Sequence, residues 1–283
     1  MVRIVTDSAS DMEKEELEKY SVTSIPLSVS FGNNCYLDGV TLDKDMFYEL
    51  LETAEEFPKT SQPSPESFLT VFNEAKEAGD SVIAILVSGA LSGTVQSAVI
   101  AKSMSGYDDI HIIDSKTATG GEQLLIYYAV SLRDKGYSAE AIAREVEKLA
   151  CRNRLFASLD TLEYLCKGGR LSKTAAGIGS LVNLKPIITI TEEGAVGIAE
   201  KCIGKKNVLS KLSRYPEKTG IDTRFPLCFL YSHNRTNCDE VMKKMEESGF
   251  DMENILVVNI GPTIGSHIGI GAVGLIYFAL EEN

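Results

Sequence analysis

The run Val82-Ile83-Ala84-Ile85-Leu86-Val87 constrains the fold more than any other stretch of the chain. Six consecutive apolar residues, four of them β-branched, offer no polar face to water, so the segment reads as a strand covered on both sides. It stops at Ser88-Gly89-Ala90-Leu91-Ser92-Gly93-Thr94, and helix-forming sequence follows from about Val95. Strand, small-residue loop and helix in that order make a βα unit with its loop at the carboxyl end of the strand. Backbone N–H groups in such a loop and in the first helical turn lack intrahelical partners and are partly positive, so an anion is the natural guest. Three hydroxyls, Ser88, Ser92 and Thr94, crowd this turn where capping needs one. This turn has neither a P-loop lysine nor G-x-G-x-x-G, so a small anionic head group is expected and a nucleotide is not.

The same rhythm runs through the first half. Strands are expected at Val2–Thr6, Val82–Val87 and Ile110–Asp114, with helices at 12–20, 44–55, 65–78 and 121–135. Ser10-Asp11-Met12-Glu13 has the form of a capping box for the first helix. Val22–Phe31 and Cys35–Gly39 flank Asn33-Asn34 as a hairpin. Repeated β-loop-α units imply an α/β protein with a parallel sheet. After a helix at 139–150 the pattern changes: a short strand at 155–158, a helix at 161–167, and Ile187–Thr191 and Val196–Lys201 flanking Glu192-Glu193-Gly194 as a hairpin. A helix at 207–214, a strand at 227–231, a helix at 238–248 and a strand at 255–260 complete it. The expected division is an N-terminal α/β domain over 1–153 and a smaller α+β domain over 154–283.

Length and charge narrow the functional classes. The 283 residues suffice for a substantial core. A net charge of -12 argues against nucleic acid or an anionic membrane as the main partner. Ile268–Leu280 is broken by glycine and too short to span a bilayer, so no stable membrane insertion is expected. Six cysteines without a C-x-x-C pair, and an N-terminus that opens on a strand instead of a signal peptide, predict a reducing, cytoplasmic setting.

Three polar constellations fall in loops, where function concentrates. Thr60-Ser61-Gln62-Pro63-Ser64-Pro65 reads as a tight turn between helices; Ser64 and Pro65 serve the helix start, which leaves Thr60 and Ser61 unassigned. The second is the Ser88–Thr94 loop. The third is Gly261-Pro262-Thr263-Ile264-Gly265-Ser266-His267-Ile268-Gly269-Ile270-Gly271, where a strand ends and a helix is expected to begin near His267. His111 reads as a solvated strand residue and His233 as a turn or cleft edge. Asp7 and Asp114 end parallel strands, as cleft residues or as loop hydrogen-bond acceptors in equal measure. Lys167-Gly168-Gly169-Arg170 reads as a helix C-cap with favourable cations. No metal-ligand spacing and no G-x-S-x-G occur.

Taken together, Thr6-Asp7-Ser8, Thr60-Ser61-Gln62-Pro63-Ser64, Ser88-Gly89-Ala90-Leu91-Ser92-Gly93-Thr94 with Gln96-Ser97-Ala98, Tyr164-Leu165-Cys166-Lys167-Gly168-Gly169-Arg170, Lys185-Pro186 and Gly265-Ser266-His267 resemble the DegV family of bacterial fatty-acid-binding proteins, which includes the FakB subunits of fatty acid kinase. The motifs run in family order over essentially the whole chain. The resemblance implies a two-domain protein that buries a long-chain fatty acid between its domains. The family's carboxylate contacts map onto Thr60, Ser92 and His267, with Ser61 and the backbone of Gly93 nearby and Ser88, Thr94, Gly265 and Ser266 supporting the cleft. It further implies no cofactor and a non-catalytic role, presenting the lipid to a fatty acid kinase for acyl-phosphate formation in phospholipid metabolism. Two positions depart from the family pattern: Ile270 stands where Pro is usual, and Ile203 stands at about the place of an Arg that kinase-coupled members carry. Two other readings remain open at this point. One is a stand-alone acyl or phosphoryl transferase using Ser92 with His267 as base, which lacks an evident carboxylate to orient the imidazole. The other is a lipid sensor with no kinase partner.

Overall fold

A computed structural model of the protein describes residues 1–172 and 184–281. The Val82 run is the inner strand its composition predicts. Strands β1 (Val2–Asp7), β2 (Val22–Ile25), β6 (Ser81–Leu86) and β7 (Ile110–Asp114) form an all-parallel sheet in the order β2-β1-β6-β7. Alternate residues of β6 serve opposite layers. Val82, Ala84 and Leu86 pack with Phe68 and Phe72 of α3 (Pro65–Ala78) and with Ala98 and Ala101 of α4 (Thr94–Ser105), whereas Ile83 and Ile85 pack toward α5 (Gly120–Asp134) and α6 (Ala139–Ala150).

From residue 153 onward the strands build a second, mixed sheet. Strands β8 (Asn153–Ser158), β9 (Leu184–Ile190), β10 (Val196–Ile203), β11 (Leu227–Tyr231), β12 (Ile255–Asn259) and β13 (Val273–Phe278) lie in the order β10-β9-β8-β13-β11-β12. One face, with Leu155, Ile188, Cys228 and Leu230, joins the same core as α5. The other face, with Phe229, Leu275 and Tyr277, is covered by the helices Lys205–Leu212 and Thr236–Glu247. Helix α5 is thus a layer shared by both sheets. At its first turn, a Cβ on Gly120 would lie 2.4 Å from the Cys228 Sγ and 3.0 Å from the Leu230 Cδ2, so the contact closes only because no side chain is there. A small antiparallel sheet, β4 (Asn34–Leu37), β3 (Ser28–Phe31) and β5 (Lys59–Ser61), completes the fold beside α2 (Lys44–Thr53).

Four expectations need correction. The first helix, α1 (Lys14–Tyr20), is capped by Glu13 with Glu16 and not by Ser10 with Glu13; Ser8–Ser10 is a 3-10 turn, and Asp11 follows it in the left-handed region at φ 59°. Val22–Phe31 is two strands, because Pro26 lacks the N–H a continuous ladder requires; β2 joins the parallel sheet and β3 the small one. The Thr60 segment is not a turn between helices but β5, paired with β3 through Val29 and Thr60. The last helix does not begin near His267: it spans Pro262–Ile268, with Pro262 in its first turn and His267 in its last, and Ile270 lies beyond its end. The chain then enters β13, a strand inside the six-stranded sheet with Val, Leu, Ile, Tyr and Phe in its sequence.

The Gly120 contact sets a testable sign. Alanine has the higher helix propensity by up to about 1 kcal/mol, yet overpacking costs about 1–3 kcal/mol, so Gly120→Ala should lower the urea midpoint. In a Cys228→Ala background the added methyl should cost at least about 1 kcal/mol less. Stabilisation by Gly120→Ala in the otherwise unchanged protein would show that the two sheets are not held at this contact.

Candidate functional site

The strand order β2-β1-β6-β7 creates a switch point between β1 and β6, whose onward connections leave to opposite sides; open α/β sheets bind ligands outside the carboxyl ends at such a point. Asp7 bridges it. Its Oδ1 accepts from the Ala9 N–H and its Oδ2 from the Val87 N–H, both at 2.9 Å. Beyond this bridge a cleft of about 750 Å³, mouth included, opens between the carboxyl ends of the parallel sheet and one face of the mixed sheet. That volume suits a small-molecule ligand. Leu27, Val87 and Ala118 wall one side; Leu155 and Ala157 of β8, and Ile188 and Ile190 of β9, are alternate strand residues and so share the opposing face.

Polar side chains interrupt this apolar lining at Thr60, Ser92, Arg170 and His267, and at Thr119 and Thr263. Pairing of β5 with β3 presents Thr60, whose Oγ1 lies 2.8 Å from His267 Nε2. The imidazole sits over Gly168, where a Cβ would fall 2.2 Å from Nδ1. Nδ1 is buried and has no hydrogen-bond partner among the described residues. Burial, and secondarily the Arg170 charge, push the His267 pKa down to about 4, so the ring is neutral at pH 7. Ser92 leads into α4, where Gly93 is the N-cap, and its Oγ lies 2.8 Å from Thr94 Oγ1. Arg170 is turned into the cleft by Gly169 at φ 73°; its Nε donates to the Leu91 carbonyl at 2.9 Å and its Nη1 to the Gly168 carbonyl at 2.7 Å. Two of its five N–H donors are spent on these carbonyls.

The other sequence-predicted residues lie around the cleft and not in its wall. Ser61 is exposed, at the alternate position of β5. Gly93 gives way to the Gln62 side chain, which donates to Ser97 Oγ at 2.9 Å. Ser88 donates to the Gly194 carbonyl at 2.8 Å and so ties the β9–β10 turn to the first sheet. Thr94 is fully buried behind Ser92. Gly265 makes room for Phe47, and Ser266 bonds back to the Pro262 carbonyl at 2.7 Å. Asp114, the last residue of β7, accepts from the N–H groups of Gly89 and Lys116, His111 stands beside Asp109, and His233 packs tilted against Tyr48 next to Glu52. Sequence reasoning missed Arg170 as a cleft residue. Its signal was a cation just past the Gly-Gly turn, which is equally the mark of a C-cap. A Ser–His dyad is not formed either: Ser92 pairs with Thr94, and His267 with Thr60.

Behind the cleft, Asp7, Asp11, Asp38 and Glu122 are buried carboxyls. Desolvation raises all four. Asp11 is pushed up to about 7 and Asp38 to about 6, both partly offset by hydrogen bonds and by Lys44. Glu122, which accepts from the Thr6 hydroxyl at 2.7 Å, is raised well above the carboxylate range by burial and then by Asp7. No group of His, Cys, Asp and Glu among the described residues is arranged to hold a metal ion.

Fold and cleft together define an α/β protein with a predominantly apolar cavity between two sheets. The chain belongs to the DegV family: the family model described as an uncharacterised protein of that family matches residues 1–280. A DegV domain-containing protein of Caldanaerobacter subterraneus subsp. tengcongensis is 34% identical over 279 residues, 98% of each chain. Among solved structures, a DegV family protein from Thermus thermophilus described as fatty-acid binding superposes with a TM-score of 0.89 at 32% identity, covering 99% of both chains. A stearic-acid-binding protein from Eubacterium ventriosum gives 0.87 at 33% identity, covering 99% of this chain and 98% of the other. DegV of Bacillus subtilis, described as a fatty acid binding protein, gives 0.83 at 31% identity over 99% of both.

The titrations oppose one another, which makes their sign measurable. Asp11 and Asp38 keep in the folded state protons that the unfolded chain releases near pH 4, so their stabilisation is present at low pH and lost as pH rises through 6 to 7. His267 does the reverse: its contribution is present above pH 6.5 and lost as pH falls toward 4. In urea unfolding between pH 4.5 and 6.5, His267→Gln should therefore make the decline of stability with rising pH steeper, and Asp11→Asn should make it shallower. Parallel profiles for the native protein and both variants would contradict these assignments.

Proposed function

We propose that this protein binds a long-chain fatty acid in the cleft, with the carboxylate held by Thr60, Ser92 and His267 and its charge met by Arg170. The observation that carries this reading is that those four side chains line a predominantly apolar cavity between two sheets. A neutral His267 engaged with Thr60 offers hydrogen bonds without a second full charge, while Arg170 supplies the cation that an anionic head requires. Energetics divide the labour. Burying roughly ten methylenes contributes on the order of 8 kcal/mol before ordering costs, and one charge-assisted hydrogen bond nets about 1.5–3 kcal/mol. The acyl chain accordingly supplies most of the affinity, and the polar group decides which end enters. Solved relatives described as binding fatty acids support the same reading. The unformed Ser–His dyad argues for binding and against a stand-alone transferase. The missing Arg at Ile203 bears on a kinase partnership and leaves lipid binding untouched.

Denaturing extraction of the purified protein should release a fatty acid, and palmitate or oleate should raise the melting temperature of delipidated protein, since a ligand that binds only the folded state stabilises it. Ser92→Ala and His267→Ala should each weaken binding by about 1–3 kcal/mol, and Arg170→Gln should do the same, without comparable loss of apo stability. No extracted lipid and no thermal shift would refute the proposal; unchanged affinity in all three variants would move the head group elsewhere.

The partnership with a fatty acid kinase is proposed in a weakened form. Ile203 ends β10 at the edge of the mixed sheet, 73% exposed, and is followed by Lys205 and Lys206 at the start of the next helix. An isoleucine there can neither steer an acidic surface nor steady phosphate charge, as a guanidinium can. Acyl-phosphate formation with the kinase of the same organism should therefore be low and should rise in Ile203→Arg. Full activity in the native protein, unchanged by Ile203→Arg or by the double variant Lys205→Ala/Lys206→Ala, would show that this edge plays no part in coupling.

A further inference from the structure

The helix Pro262–Ile268 carries His267 but has no side-chain cap of its own: its N-cap is Gly261. Distant residues make its first-turn bonds. Asp38 Oδ2 accepts from the Thr263 N–H at 3.2 Å and from the Thr263 hydroxyl at 2.5 Å, and Asp11 Oδ1 accepts from the Gly261 N–H at 3.0 Å. Thr263 and His267 are four residues apart, hence one above the other on a single helix face. Both contacts made by that face end on one small sheet. Ser28 of β3 pairs with Leu37 on one side and with Ser61 on the other; Asp38, next after Leu37, donates its N–H to the Leu27 carbonyl, and Thr60, next before Ser61, pairs with Val29, so the two stand two residues apart along β3 on its opposite flanks. Two strand spacings, about 9.5 Å, separate the two outer strands.

From this geometry we propose that Asp38 is a positioning residue for the head-group site: by holding Thr263 it fixes the helix against the small sheet and thereby sets His267 Nε2 at hydrogen-bond distance from Thr60. Asp38 itself does not line the cleft, whereas Thr263 does. Without it, the helix keeps the Gly261 tether and the packing of Phe47 against Gly265, so the protein folds, but the turn carrying His267 is free to shift along the sheet. The affinity readout of this inference rests on the fatty-acid reading above; its spectroscopic readout does not.

The test uses delipidated full-length protein. Long-range ¹H–¹⁵N spectra of the His267 imidazole should show one neutral tautomer in the native protein and averaged ring shifts in Asp38→Ala. Palmitate affinity should fall about tenfold in Asp38→Ala, less in Thr263→Val, which keeps the backbone bond, and Asp38→Asn, which keeps one acceptor, should recover most of the loss. Phe72→Leu, in the core beneath α3, serves as the control: it should lower the melting temperature and change neither readout. A folded Asp38→Ala protein with native affinity and a native His267 spectrum overturns the proposal, as does a Phe72→Leu control that loses affinity to the same degree. If Asp38→Ala does not fold, Thr263→Val decides by the His267 spectrum alone, because Thr263 lines the cleft itself. A native protein with a fixed His267 tautomer that binds no palmitate would refute the lipid reading and leave the positioning role standing.

Discussion

The close approach of α5 to β11 at Gly120 is the contact on which the rest of the structure depends. Helix α5 is packed against both sheets, and at Gly120 the distance between layers is shorter than any side chain would allow. Immediately before this point Ala118 and Thr119 line the cleft, as does Leu230 of β11. The cavity is therefore the space left where the shared helix stops and the two sheets diverge. Dense packing on one side and a void on the other arise from the same helix start, since a core that is close-packed elsewhere keeps a large gap only where no element fills it.

Around that void the polar groups are arranged by depth. The buried carboxyls behind the switch point, Asp7, Asp11, Asp38 and Glu122, accept from backbone N–H groups at Ala9, Val87, Gly261 and Thr263 and from the hydroxyl of Thr6. Burial holds several of them near or above neutral pKa, which keeps the negative charge low behind the cleft. Nearer the cleft, Arg170 is the cation and His267 stays neutral because it is buried beside that cation. A site with both groups charged would bind an anion more tightly but would destabilise its own unliganded state, an outcome the depressed histidine avoids.

Much of the fold was legible because local pattern and tertiary environment agree. The Val82 run, the Ile110 strand, the helices beginning at Pro65 and Ala139 and the strand Leu227–Tyr231 all stand where hydrophobic period and capping residues put them. The disagreements share one cause. Pro26 splits an apolar run between two sheets, Thr60 becomes a strand through pairing with β3, and Val273–Phe278 enters the middle of a sheet as a strand; in each case the partner is far away in the chain, and no local period records it. Glu13 displaced Ser10 as a cap because Asp11 takes a left-handed conformation that ends the preceding turn.

For the site, the sequence by itself determined the chemical inventory: a small-residue loop at the end of a buried strand, hydroxyls at Thr60 and Ser92, an imidazole at His267, and a family resemblance that ordered them. Tertiary structure alone decided which of these share a cavity. Thr60 and His267, 207 positions apart, meet because β3 bridges β4 and β5 beneath a helix whose first turn is held by Asp38. Arg170 moved from cap to cleft because Gly169 reverses the chain, and Ser61 left the site because adjacent strand residues face opposite ways. Local sequence specifies which groups a segment can offer, through its period and its turns; which offers converge depends on contacts between distant segments, and those exist only once the layers have packed.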